Sequence, residues 1–386
     1  MLKSDTHFWD AEAFESAIEG MCDALSSWKE RIVPFFATLT PEVIFLFFAL
    51  WKMGKIAYPL NPKAPYAGPL FTPPMLQPKK PKSWDWKEDN LATIIATSGS
   101  SGTPKLACHS IGNHLYSALG SRTIIPIEVG DQWRLDLPLY HVGGIAILFR
   151  CYFARATIVL SSSMEGITHM SLVPTQLYRM GSSPNVKCLL LGGAPIPPSI
   201  SRQPPIFTTY GMTEMSSQIA TNGQVLPFAQ VKIEEDGQIW VRGKTLFQGY
   251  WEKEKLHLPL DPLGWFATGD LGKWDDGKLQ IIGRKDNMFI CGGENIHPEN
   301  IERAIYLMAG VEQVIVIPKT DPEYGMRPVV FIRPPYSLEQ IQTHLQGLLP
   351  KFQWPIAVLP FPESSGFKPS RKELSALVNE HASSLL

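Results

Sequence analysis

Apolar residues follow two rhythms along this chain. The run "PEVIFLFFALWK" (41–52) is apolar on all sides, which predicts a buried helix ending near Gly54, with a strand after it. Short apolar runs then alternate with helix-like stretches through "LATIIAT", "WRLDLPL", "ATIVLSS", "MSLVPTQLYRM" and "VKCLLLGG", the signature of an α/β fold. After residue 225 a period of two takes over. "VKIEEDGQIWVRG" and "GKWDDGKLQIIGR" each set Asp-Gly between alternating strands, which predicts two hairpins and a small β-rich part. From residue 287 the pattern mixes again. "HPENIERAIYLM" predicts a helix with Pro298 near its first turn and Ile301, Ala304, Ile305 and Met308 on one face; "EQVIVIPK" and "RPVVFIRPP" read as strands and "SLEQIQTHLQGLL" as a helix. The expected architecture is a large N-terminal domain of sheets and packed helices plus a small α+β C-terminal domain. Residues 59–82 are rich in proline, which sustains neither ladder, so they are expected to form a linker or surface arm.

Composition narrows the function. With 386 residues, 44% hydrophobic and 18% charged, the chain can bury a substantial core, and its net charge of −1 gives no electrostatic case for a nucleic-acid partner. The longest apolar run, "VIFLFFALW", is far short of the roughly 20 residues of a membrane span. The N-terminal stretch carries acids and lacks the apolar core of a signal peptide. Five scattered cysteines without C-x-x-C spacing fit buried thiols in a reducing, cytoplasmic setting.

The candidate chemistry starts at "ATSGSSGTPK" (96–105), where small hydroxyl residues and glycines end a strand. Backbone N–H and side-chain O–H groups can converge there on an anion, with Lys105 adding charge. It is not a Walker loop, because Pro104 stands five residues after Gly99. "KLACHS" alternates like a strand, so the loop is expected at a hairpin tip. On composition alone a plain surface loop is an equal reading.

Further motifs follow in a fixed order: "LPLYHVGG" (137–144), "LLGGAP" (190–195), "TYGMTE" (209–214), "TGDLG" (268–272), "GRKDNMFICGGENIHPENIE" (283–302) and "GFKPSR" (366–371). Together with the hydroxyl-rich loop this series resembles the adenylate-forming superfamily of acyl- and aryl-CoA ligases, luciferases and adenylation domains. In detail it is most similar to the o-succinylbenzoate–CoA ligase branch of menaquinone biosynthesis. The resemblance implies ATP, Mg²⁺ and coenzyme A, with a small-molecule acid as substrate, and leaves a homo-oligomer open. The implied reaction has two halves: a carboxylate attacks the α-phosphate of ATP, and CoA thiol then displaces AMP.

By the same resemblance, Thr97, Ser98, Gly99, Ser100, Ser101, Gly102, Thr103 and Lys105 would hold the β- and γ-phosphates, and Glu214 would hold Mg²⁺. Tyr210 would stack on adenine, with Gly192, Gly193 and Ala194 on its other side, and Gly211 and Thr213 complete the nucleotide motif. Asp270 would accept both ribose hydroxyls and Arg284 would contact ribose or phosphate. Residues 1–284 would form the N-terminal ATP- and acid-binding domain, 285–286 the hinge, with Asp286 at its centre, and 287–386 a mobile C-terminal domain. Lys368 would reach the α-phosphate in one pose, and Gly292 and Gly293 would line the pantetheine tunnel in the other. His141 would gate the acid pocket. Arg150, a charge inside the apolar stretch "AILFRCYF", would hold the acid's second carboxylate or else snorkel to solvent. Ser216, Ser217 and Gln218 should face the same pocket.

Each of these residues has an ordinary alternative, such as a turn aspartate, a surface ion pair or a solvated tail lysine; their order in the sequence argues for function. Three departures stand out. Gln218 occupies a position where the resemblance leads one to expect a small hydroxyl residue, Gly143 one where it leads one to expect serine, and fewer residues precede the loop than the family usually has. The N-terminal domain is therefore expected to be shortened, the proline-rich arm replacing part of it. Another aryl- or acyl-CoA ligase, or an adenylation enzyme loading a carrier protein, shares the motifs. A catalytically inactive relative is the non-enzyme alternative, against which Lys105, Glu214, Asp270, Arg284 and Lys368 speak.

Overall fold

The computed structural model describes residues 1–97, 104–180, 185–194, 196, 206–362 and 371–380. The buried run forms helix α2, Pro41–Lys52, after helix α1, Ala11–Ala24. Thr40 caps α2, its side chain accepting from the Val43 N–H, and Pro41 stands where no N–H is needed. Nine of its residues, Val43 to Trp51, are buried, and Gly54 turns the chain out at φ 68°. Helices α3, Ile111–Arg122, and α4, Val142–Ala154, belong to the same core. Two sheets flank these helices. In the larger sheet the strands Ile206–Met212, Cys188–Leu191, His169–Leu172, Gln132–Arg134, Thr157–Leu160 and Leu2–Ser4 run parallel in that order, with antiparallel strands at both edges. The six-stranded sheet pairs Leu91–Thr97 with Lys105–Ser110 antiparallel, Thr97 opposite Lys105, so "KLACHS" is a strand as expected; residues 98–103 between the two lie outside the described residues. Both Asp-Gly hairpins form within a four-stranded sheet, one turning at Asp276 and Gly277 with φ 47° and 70°. Residues from 289 onward build separate cores around a sheet that pairs Gln313–Asp321 with Gly325–Arg333, flanked by helices Pro298–Ile305 and Leu338–Leu345.

The proline-rich arm has no regular element between residues 61 and 90, as its composition demands, but it is strapped down rather than free. Lys79 exchanges backbone and side-chain hydrogen bonds with Ser16 at 3.1 and 2.8 Å. The Gln77 carbonyl lies against Gly20, where a Cβ would collide with it. Lys52, ion-paired with Glu19, donates to the Lys82 carbonyl at 2.6 Å. Trp84 and Trp86 then pack on Phe149, Tyr152 and Phe153 of α4. The arm contributes apolar surface to the core that its irregular backbone could not contribute through a ladder.

Candidate active site

The paired strands Leu91–Thr97 and Lys105–Ser110 bring Lys105 to the lining of a cleft of about 360 Å³, lined also by Met212, Tyr250, Thr268, Gly269 and Arg284. The Lys105 ammonium lies 4.9 Å from the centre of the Tyr250 ring. The Tyr250 hydroxyl donates to Glu214 Oε1 at 2.7 Å, so the ring has a cation over its face and a carboxylate at its hydroxyl. Glu214 is buried in the turn Thr213–Met215, its backbone carbonyl accepting from the Phe247 N–H at 2.8 Å and the Thr213 carbonyl facing His109 Nε2 at 2.7 Å. Gly211 stands two residues before the turn, and a Cβ there would collide with the Ser217 carbonyl oxygen. A site for Mg²⁺ is chemically reasonable at Glu214: magnesium takes oxygen ligands and commonly uses one or two carboxylates with substrate phosphates and water. Among the described residues no group of three or more His, Cys, Asp or Glu could hold a metal by itself.

On the other wall, Tyr210 donates its hydroxyl to Asp270 Oδ2 at 2.7 Å, and Arg284 donates to Asp270 Oδ1 at 3.0 Å and to the Thr268 carbonyl at 3.0 Å. The pairing is set by strand register, since Asp270 and Arg284 are direct partners across the hairpin. Burial pushes the Asp270 carboxyl up, against the opposing pull of Arg284 and the Tyr210 hydroxyl. The Asp286 carboxylate lies 3.5 Å from Arg284 in the exposed turn Lys285–Asn287. Gly192, Gly193 and Ala194 follow the carboxyl end of the parallel strand Cys188–Leu191, where ligands bind in such sheets. A Cβ on Gly192 would collide with the Thr209 hydroxyl, and Gly193 has φ 77°.

Arg150 sits on α4, 4% exposed. It does not snorkel. Its Nε donates to Ser121 Oγ at 3.1 Å, one terminal nitrogen donates to Gln218 Oε1 at 2.5 Å, and its guanidinium carbon lies 5.4 Å from the centre of the Trp133 ring. Burial lowers its pKa to about 10, which still leaves it charged at neutral pH. Among the described residues no carboxylate pairs with it.

Of the three residues expected beside Arg150, Gln218 touches it. Ser216 instead donates its hydroxyl to the Thr245 carbonyl at 2.9 Å and is fully buried, so its side chain serves the turn; Ser217 is half-buried with φ 108°. His141 is exposed at the N-cap of α4, its ring 4.6 Å from that of Tyr140. Thr97 closes the hairpin, donating to the Lys105 carbonyl at 3.3 Å. Gly292 and Gly293 turn the hairpin Phe289–Ile296 at φ 57° and 90°. Ser98, Gly99, Ser100, Ser101, Gly102, Thr103 and Lys368 lie outside the described residues.

Sequence reasoning missed Tyr250, Ser121, Thr221 and a buried relay in which Thr93 Oγ1 bridges His109 and His114. One signal for α3 was legible. Asn113, Ser117 and Ser121 recur every fourth residue and so share a helix face. That face holds the Lys244 and Leu246 carbonyls, the Ser216 carbonyl and Arg150 in turn.

The model of the AMP-binding enzyme family matches residues 70–251. A 2-succinylbenzoate–CoA ligase of Escherichia coli is 33% identical over 414 aligned residues, covering 95% of this chain and 89% of the relative. The Haemophilus influenzae enzyme of the same name is 33% identical over 90% of this chain and 87% of its own length. Among solved structures, an arginine-to-lysine variant of Escherichia coli MenE with bound OSB-AMS superposes with a TM-score of 0.85 at 29% identity, over 98% of this chain and 94% of that one. The chain therefore belongs to the AMP-binding enzyme family of adenylate-forming enzymes, alongside the 2-succinylbenzoate–CoA ligases.

Proposed function

We propose that this protein is an AMP-forming acid–CoA ligase that converts o-succinylbenzoate to o-succinylbenzoyl-CoA in menaquinone biosynthesis. The observation that carries the substrate is Arg150. A buried guanidinium is costly unless an anion compensates it, and the described residues supply none. An acid with two carboxylates, one activated and one held, supplies that anion on binding.

In this reading the succinyl carboxylate attacks the α-phosphorus of ATP, a P–O bond forms and pyrophosphate leaves. Coenzyme A thiol then attacks the acyl carbon, loses its proton, and AMP departs with the C–O bonding pair. The first half brings an anion onto a polyanion, so positive charge and positioning are what the protein must contribute. Lys105 and the hydroxyl-rich loop take the β- and γ-phosphates, and Lys368 approaches the α-phosphate. Asp270 and Arg284 take the ribose, and Tyr210 with Gly192 to Ala194 encloses the base. Mg²⁺, when bound at Glu214, offsets phosphate charge. Residues 287–386 turn about Asp286 between the halves, bringing Gly292 and Gly293 to the thiol path. Turning requires release of Arg303, which donates to the Ile281 and Ile282 carbonyls at 2.9 and 2.7 Å across the hinge. No helix among the described residues is long and apolar enough to cross a membrane, and a cytoplasmic enzyme acting on small molecules fits the whole reading.

The test is pyrophosphate release over a panel of acids, with and without CoA. Release that is strongest with o-succinylbenzoate, with thioester formed only when CoA is present, is the expected result. Stronger turnover of a fatty or simple aryl acid, or transfer to a carrier protein in place of CoA, overturns it.

A further inference from the structure

We propose that Ser121, Gln218 and Thr221 are positioning residues that aim the Arg150 guanidinium, and that the neutral amide of Gln218 makes the pocket selective for an acid with a second carboxylate. The inference rests on the reading that Arg150 faces the acid. It adds which residues hold the arginine and why the site stays cationic.

A guanidinium carries five N–H donors in one plane. Ser121 takes the Nε donor and Gln218 takes one from a terminal nitrogen. Three remain, enough to meet a carboxylate with two parallel bonds. The guanidinium carbon lies over the Trp133 ring, 5.4 Å from its centre, which adds a cation–π contact to the two hydrogen bonds. The Gln218 amide is itself fixed, because its Nε2 donates to Thr221 Oγ1 at 2.9 Å. Reversing the amide would set two donors against each other at Arg150, so the donor-only guanidinium selects the oxygen, and the Thr221 hydroxyl, by accepting from Nε2, anchors the amide in that orientation. All four side chains are buried: Ser121 at 1%, Thr221 at 0%, Gln218 at 3% and Arg150 at 4% exposure. In so dry a setting the charge on the residue at 218 decides what Arg150 can bind. An amide orients the cation and leaves its charge for the substrate. A carboxylate in the same place would close an internal ion pair. The small hydroxyl residue that the family resemblance leads one to expect there would be too short to span the same gap. Here Gln218 lies on the strand Ser217–Thr221, and its position opposite Gly211 links it to the nucleotide motif.

The experiment compares o-succinylbenzoate with its analogue lacking the ring carboxylate, in wild type, Gln218→Glu, Gln218→Leu and Ser121→Ala. Gln218→Glu keeps an acceptor toward Arg150 and adds a negative charge. It should lower the preference for o-succinylbenzoate over the analogue about ten- to a hundredfold, the range of one charge-assisted contact, with the loss in KM rather than kcat. Gln218→Leu and Ser121→Ala should lower the preference less, because the cation remains but is no longer aimed. An equal loss on both acids in Gln218→Glu overturns the proposal. A second readout needs no acid. In a thermal-unfolding cycle, Gln218→Glu should raise Tm in the presence of Arg150 and not in Arg150→Met. Absence of that coupling also overturns the proposal. If wild type proves indifferent to the ring carboxylate while the cycle still shows coupling, the substrate assignment fails and the positioning of Arg150 stands.

Discussion

Replacing Asp270 by Asn tests the proposed contact with ribose. A carboxylate offers about four lone-pair directions. Tyr210 and Arg284 use two of them at 2.7 and 3.0 Å, which leaves two for the 2′- and 3′-hydroxyls of ATP. Asparagine keeps one oxygen, which Arg284 will hold, and turns its amide nitrogen toward the Tyr210 oxygen, which can accept. The fold therefore keeps its local hydrogen bonds and ribose loses one charge-assisted acceptor. Such a bond is worth about 1.5 to 3 kcal/mol, so KM for ATP should rise about ten- to 150-fold. Pyrophosphate exchange with ATP and with 2′- and 3′-deoxy-ATP reads the effect. Wild type should discriminate against the deoxy nucleotides by a comparable factor, and Asp270→Asn should lose most of that discrimination for at least one of the two positions. If the penalty for removing each hydroxyl is the same in both proteins, Asp270 does not bind the ribose, however much the variant weakens ATP.

Two further outcomes follow from the same part of the molecule. Gly211→Ala places a methyl group into the Ser217 carbonyl, and overpacking of this kind typically costs about 1 to 3 kcal/mol, so urea unfolding should show that loss together with falling affinities for Mg²⁺ and acid; a stable variant with intact binding would show that the two strands can part there. Burial lowers His109 from 6.5 to about 4, so between those values the unfolded chain binds a proton that the fold refuses, and stability, fully present above about pH 6.5, should decline by up to about 1.4 kcal/mol per pH unit as pH falls, with His109→Asn showing a flatter decline.

The sequence by itself determined the local elements and the inventory of chemistry. Period and turn residues act over a few positions, so the buried helix at 41–52, the Asp-Gly hairpins and the strand pair flanking the hydroxyl-rich loop could be read directly. Motif order likewise gave Lys105, Glu214, Asp270 and Arg284 as one set. What tertiary structure alone decided is who meets whom. Tyr250 reaches Glu214 from 36 residues away, and Gln218 reaches Arg150 from 68 residues away. Those meetings depend on strand register and helix packing, which no local pattern encodes. Ser216 shows the limit. Adjacent residues were expected to face one pocket, yet a left-handed turn at Ser216, φ 54°, sends its hydroxyl to Thr245 instead. The proline-rich arm shows the same limit at larger scale. Its composition forbade a ladder, but only the folded core, where Trp84 and Trp86 meet Phe149, Tyr152 and Phe153, could decide that it is packed. Burying aromatic surface needs a partner surface, and that surface exists only once the distant helices have assembled.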